Sequence, residues 1–140
     1  MAVADEGSGY EALCAYTLSR GDQEFIHQHV VDAFAAQQAD DRTKPIQLTF
    51  ALVGLYLAVE HGVSGRQVQR VHMQLGRRKQ AWPRFALPAE RGATTASRVL
   101  LAPEGEQRDR AIHGWCRDVW SAFSAERPKV EELLRQHGII

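Results

Sequence analysis

The sequence predicts an all-α fold, a single helical domain of 140 residues built as a bundle of five to seven helices around a central apolar helix. Three observations predict it. Apolar residues recur at spacings of three and four in one segment after another. Ser, Asp and Pro stand where such segments begin, and Gly where they end. No stretch of four or more residues alternates convincingly at period two, so strands find no support.

Each element follows in order. Ser8-x-x-Glu11 reads as a capping box opening a helix through about Arg20, with Tyr10, Leu13, Cys14, Thr17 and Leu18 on one face. Residues 1–8 are expected to be a loose N-terminus. Gly21 ends the first helix, and Asp22 caps a second, about Gln23 to Gln38. The polar link ADDRTK and Pro45, a good first-turn residue, introduce IQLTFALVGLYLAVEH. That segment is apolar nearly all round, which marks Ile46 to Glu60 as the centre of the bundle. Gly62 stops it, and Ser64-x-x-Gln67 caps a basic helix reaching roughly Gln80. WPRFALPAERG, with two prolines and a glycine, reads as an ordered loop pinned by Trp82, Phe85 and Leu87. A short helix is expected near Thr95 to Leu101 and a long one from about Glu106 to Phe123. The long one carries Ile112, Trp115, Val119, Trp120 and Phe123 at helical spacing. Pro128 opens a last helix with Val130, Leu133 and Leu134 inward.

Composition narrows the function classes. Hydrophobic content of 44% and charged content of 24% describe a soluble globular chain. The longest uncharged apolar run, Ile46 to Val59, is too short to span a bilayer, so no membrane partner is expected. The opening MAVADEGSG has neither a basic n-region nor an apolar h-region, and cytoplasmic placement is the expectation. Two cysteines, Cys14 and Cys116, without a C-x-x-C argue against a disulfide framework or a thiolate zinc site; both read as small core hydrophobes. No P-loop, dinucleotide fingerprint, nucleophile elbow or H-E-x-x-H occurs. Net charge is zero but unevenly spread. Residues 1–41 hold eight acids and one base, residues 42–101 ten bases and two acids, and the remainder six bases and seven acids. The basic middle either attracts an anion or nucleic acid, or docks on the acidic first third of the same chain or of a second copy.

FIHQHVVDAFAAQQ, Phe25 to Gln38, carries the candidate chemistry. On a helix turning about 100° per residue, Ile26, Val30, Ala33 and Phe34 centre the apolar face. His29 and Asp32 lie on its edge, three residues apart and able to touch. His27 points about 160° away from His29, so the H-x-H pair cannot grip one ion from a helix. Gln37 sits near the middle of the apolar face, where its amide needs a partner. Together His29, Asp32 and Gln37 look like the polar lining of a cleft, with Gln37 and Trp82 as ligand-contact candidates. Asp32 would orient the imidazole of His29, an arrangement suited to a divalent metal ligand or to a general acid/base. A metal site needs a third ligand. His72, within the Val68, Val71, Leu75 stripe, leads, ahead of Glu60 and His113. His61, beside Gly62 at a helix C-terminus, has a sufficient structural reason in the helix dipole. The packing alternative is a hydrogen-bonded His29–Asp32 pair at the core edge.

FIHQHVVDAFAAQ, TKPIQLTFALVGLYL, GRQVQRVHM, WPRFALP and WCRDVWSAF together resemble a bacterial family of small helical proteins of unknown function. Its recurring His-x-x-Asp-Ala-aromatic-Ala-x-Gln helix falls here on His29, Asp32, Ala33, Phe34, Ala35 and Gln37. The resemblance covers roughly Tyr10 to Phe123. It implies that His29, Asp32 and Gln37 belong together, and it implies no activity.

A rival reading comes from another class. Ala58, Gly62 and Val68 have the spacing of a helix-turn-helix, with Leu57, Val63 and Val71 at its apolar positions. The second helix would read DNA through Arg66, Gln67, Gln69 and Arg70. Neutral overall charge and the strongly apolar preceding helix count against it. A homodimer held by the charge asymmetry, without catalysis, is the third reading.

Overall fold

The computed structural model describes residues 6–140, and every regular element among them is helical. The elements are α1 (Glu6–Leu18), α2 (His27–Gln37), α3 (Pro45–His61), α4 (Gly65–Gly76), α5 (Ala96–Val99), α6 (Glu106–Ala122) and α7 (Arg127–Gln136), with a 3-10 turn at Ser124–Glu126. α3 is the hub. It packs on α2, α4, α6 and α7, because a helix apolar on every side must be covered on every side. Leu52, Val53 and Leu55 are wholly buried there, each contributing about 1.5–3 kcal/mol relative to exposure. Trp115 and Val119 of α6, Phe123 just past its end, and the α7 residues Val130 and Leu134 complete the same core.

Helix ends follow local chemistry, with instructive shifts. The loose N-terminus expected over residues 1–8 falls partly outside the described residues; its last three are already helical, so Ser8 lies within α1 and does not open it. α2 begins four residues later than expected. Asp22 does cap, but it caps a turn: its carboxylate accepts the Glu24 N–H and the Ile26 N–H, both at 2.9 Å. Inside that turn Phe25 holds φ at +57°, a left-handed backbone that side chains rarely adopt. α3 starts at Pro45 as read, with the Lys44 N–H donated to Gln47 Oε1. It ends at Gly62, whose φ of +63° lets the Val63 N–H return to the Leu57 carbonyl. Ser64 accepts the Gln67 N–H and caps α4, which stops at Gly76, short of Gln80. In the 82–92 loop Trp82 and Phe85 pack against the core, while Leu87 is exposed and is not among the side chains packed on it.

The basic middle does meet the acidic first third, but not through ion pairs. Among the described residues no base from 42–101 forms a salt bridge. Arg66 instead donates to the Gln23 carbonyl at 2.8 Å. Arg91 donates to the carbonyls of Ala36, Gln37 and Ala39, closing the C-terminus of α2. No described helix is long and apolar enough to cross a membrane.

Candidate functional site

α2 turns His29 and Asp32 inward as its periodicity demands, and both are almost fully buried, at 3% and 2% exposed. They do not pair. Residues three apart on a helix point about 60° from each other, and here the two rest against different neighbours. His29 faces α6, its ring 5.5 Å from that of His113, and its Nδ1 is buried with no hydrogen-bond partner among the described residues. Burial, then the proximity of His113, holds the His29 pKa down to about 4 despite Asp22 nearby, so the ring is neutral at pH 7.

Asp32 turns toward α3. Its Oδ1 accepts a 3.1 Å hydrogen bond from Gln28 Nε2, one turn earlier on α2, and its Oδ2 is buried without a partner among the described residues. The carboxyl fits because residue 54 is glycine: a Cβ there would stand 1.8 Å from Oδ2. Burial pushes the Asp32 pKa well above the usual carboxylate range, and the single Gln28 bond opposes this only in part. The group therefore favours its neutral, protonated form.

Asp32 lines a cleft of about 430 Å³ between α2, α3 and α4. Phe34, Phe50, Val31, Ala35 and Ala51 give it apolar walls, and Gln28, Gln38, Gln47, Thr43 and His72 give it uncharged polar groups. Among the described residues Asp32 is the one carboxyl in that lining, and no Lys or Arg contributes. His72 stacks on Phe50 at 4.8 Å between ring centres, and its Nε2 lies 2.7 Å from the Phe50 carbonyl. A carbonyl only accepts, so Nε2 carries the hydrogen and Nδ1 is left as the acceptor nitrogen. Burial lowers the His72 pKa, with the Phe50 bond working against it.

Of the residues singled out in the sequence, then, Asp32 and His72 share a cleft and His29 stands elsewhere. Gln37 finds its partners inside the protein. Its Nε2 donates to the carbonyls of Thr94 (2.7 Å) and Arg91 (3.2 Å), and its Oε1 accepts the indole N–H of Trp115 at 3.0 Å. That saturates the amide, making it a brace between α2, the 91–94 loop and α6 instead of a ligand contact. Trp82 meets Phe50 edge-on at 5.6 Å and is not among the side chains lining the cleft. Among the described residues no three His, Cys, Asp or Glu side chains gather closely enough to hold a metal ion, so His29, Asp32 and His72 do not form the expected ligand set. Glu60 is engaged by Trp120 Nε1 and Arg127, and His61 by the Tyr56 hydroxyl. Cys116 is buried and donates weakly to the His29 carbonyl; Cys14 is half-buried, and both are free thiols.

The helix-turn-helix reading meets a structural obstacle. The start of α4, which would enter a DNA groove, is docked on the 22–28 turn. The Arg66 N–H donates to the Glu24 carbonyl, the Arg66 guanidinium lies over the Phe25 ring, and a Cβ on Gly65 would stand 1.8 Å from the Phe25 carbonyl oxygen. Gln67 and Arg70 are exposed and bond to each other, and Gln69 is half-buried. The sequence reading missed Gln28 and Gly54. Both left a signal: Gln28 precedes Asp32 by one helical turn, and a glycine inside an otherwise apolar helix marks a close approach.

Compared with known proteins, residues 8–124 match a family model described as a family of unknown function, DUF5946. No curated protein and no solved structure matches the chain.

Proposed function

Because the chain belongs to the DUF5946 family, whose description assigns no reaction, we propose from its own geometry that the α2–α3–α4 cleft binds a small uncharged ligand. Asp32 would be its central contact. One observation carries this reading: a carboxyl buried to 2% exposure lines an accessible cleft, and its second oxygen, against Gly54, has no hydrogen-bond partner among the described residues. A group left so costs roughly 1–3 kcal/mol, and a ligand that completes its hydrogen bonding recovers that. The protonated carboxyl offers an O–H donor, Gln28 an amide, and His72 a ring nitrogen, between the Phe34 and Phe50 walls. A flat, neutral molecule with a carbonyl or ring-nitrogen acceptor matches that set. A carboxyl whose pKa burial raises is also better equipped to act as a general acid toward such an acceptor.

The test is side-chain NMR of the labelled protein against a panel of neutral lactams, pyridones and imides at millimolar concentration. Expected are shifts at the Gln28 amide and the His72 ring that vanish in Asp32→Ala, which removes both the donor and the acceptor. Silence across the panel, or shifts indifferent to Asp32→Ala, would overturn the reading.

A second reading has its own support. No acid occurs from residue 61 to residue 89, and Arg70, Arg77, Arg78 and Lys79 are exposed without ion pairs among the described residues. A nucleic-acid backbone would be held by these phosphate contacts, with base reading excluded at the docked start of α4. Anisotropy of a labelled duplex should then show salt-sensitive binding that Arg70→Ala and Arg77→Ala weaken and Asp32→Asn does not. Binding that ignores salt would sink it.

A further inference from the structure

We propose that His29 of α2 and His113 of α6 form a two-histidine site for a divalent transition metal such as zinc, nickel or copper. The two rings lie 5.5 Å apart between centres, tilted by 58°, across the packed α2–α6 pair, and both line a second cleft of about 340 Å³. This cleft shares no lining residue with the one at Asp32, so the proposal stands apart from that reading. His29 is the informative member. A residue 3% exposed normally commits its ring nitrogens to hydrogen bonds, yet the buried Nδ1 of His29 has no partner among the described residues, and a second imidazole lies beside it.

The surroundings suit a cation. Glu24 and Asp109 line the cleft, and the Glu24 carboxylate makes no hydrogen bond or ion pair among the described residues. Arg20 also lines it, but its charge is spent on Asp109. Arg117 is exposed on α6 one turn beyond His113 and is the opposing charge that a bound cation would displace toward solvent. Burial holds His29 neutral, the state in which imidazole binds a metal without first releasing a proton. Imidazole nitrogen selects zinc, copper and nickel over magnesium or calcium. With no third His, Cys, Asp or Glu among the described residues close enough to complete a protein cage, the remaining positions fall to water, which makes the site open.

The experiment is calorimetric titration of the chelator-stripped full chain with zinc chloride and nickel chloride, read beside histidine-ring NMR. One equivalent of saturable binding is expected, with the rings of His29 and His113 perturbed together. His113→Ala should weaken it at least about tenfold, since even loss of a supporting partner costs a metal site that much. His113 is exposed, so circular dichroism of this variant separates a lost ligand from a lost fold. His29→Gln is the second variant, expected to lose binding as well, and Asp32→Asn is the control expected to retain it. Absence of saturable binding at millimolar metal overturns the proposal. So does one-equivalent binding that His113→Ala leaves unchanged, because the metal would then sit on other histidines.

Discussion

Replacing Asp32 by Asn tests the electrostatics of the cleft without changing its shape. Well below the ordinary carboxylate value of 3.8, Asp32 is protonated in both folded and unfolded chains, and its titration does not alter stability. As pH rises, the unfolded chain releases the proton while the folded chain, with its pKa raised by burial, retains it. Stability is therefore lost with rising pH until the folded pKa is passed. One retained proton corresponds to about 1.4 kcal/mol for each pH unit in that window. Asn does not titrate, so Asp32→Asn should gain on the wild type by that slope. The comparison must be a difference, because His29 works in the opposite sense. Its pKa is depressed to about 4, so the stability it contributes above its unfolded value of 6.5 is lost as pH falls. Urea unfolding of both proteins at several values from about pH 4 to about pH 7 supplies the slope. The 13Cγ shift of Asp32 supplies the protonation state directly. A difference between the two proteins that does not move with pH would refute the reasoning, for it would mean that the folded protein holds an ionised carboxylate despite its burial.

Three further outcomes follow from the same geometry. Gly54→Ala drives a Cβ onto Asp32 Oδ2, and the overpacking cost of about 1–3 kcal/mol should exceed the helix-propensity gain of about 1 kcal/mol. The melting temperature should fall, and adding Asp32→Ala should restore it; a stabilised single variant would contradict the contact. Gln37→Leu leaves the Trp115 indole N–H and the carbonyls of Arg91 and Thr94 without their partner, costing about 3 kcal/mol in urea unfolding. A loss below about 1 kcal/mol would show that the brace carries no load. Cys116 is 1% exposed and burial pushes its thiol pKa up, so a thiol reagent at neutral pH should not label it in the folded protein. Rapid stoichiometric labelling of Cys116, read by peptide mass, would contradict that burial.

Much of the fold was legible because helices are written in short-range terms. The all-round apolar run from Ile46, the proline before it and Gly62 after it placed α3 almost to the residue. Where a boundary moved, tertiary contacts outweighed local preference. Asp22 satisfies a turn that Arg66 and Gly65 press against from α4, so α2 starts at His27. Helical periodicity also determined that His29, Asp32 and Gln37 face inward. What it could not determine was the neighbour each one meets.

That choice belongs to the tertiary structure. Spacing of three allowed His29 and Asp32 to touch, yet the 60° between them sent one to α6 and the other to α3. Gln37 is completed by residues 54 to 78 positions away in the chain, and Asp32 by the absence of a side chain at Gly54. The sequence by itself determined which elements form and which of their faces are buried, because backbone geometry repeats every 3.6 residues whatever surrounds it. Only the packing of helices distant in sequence decided which polar groups were satisfied and which were left open, because a hydrogen bond requires both partners at one place in space.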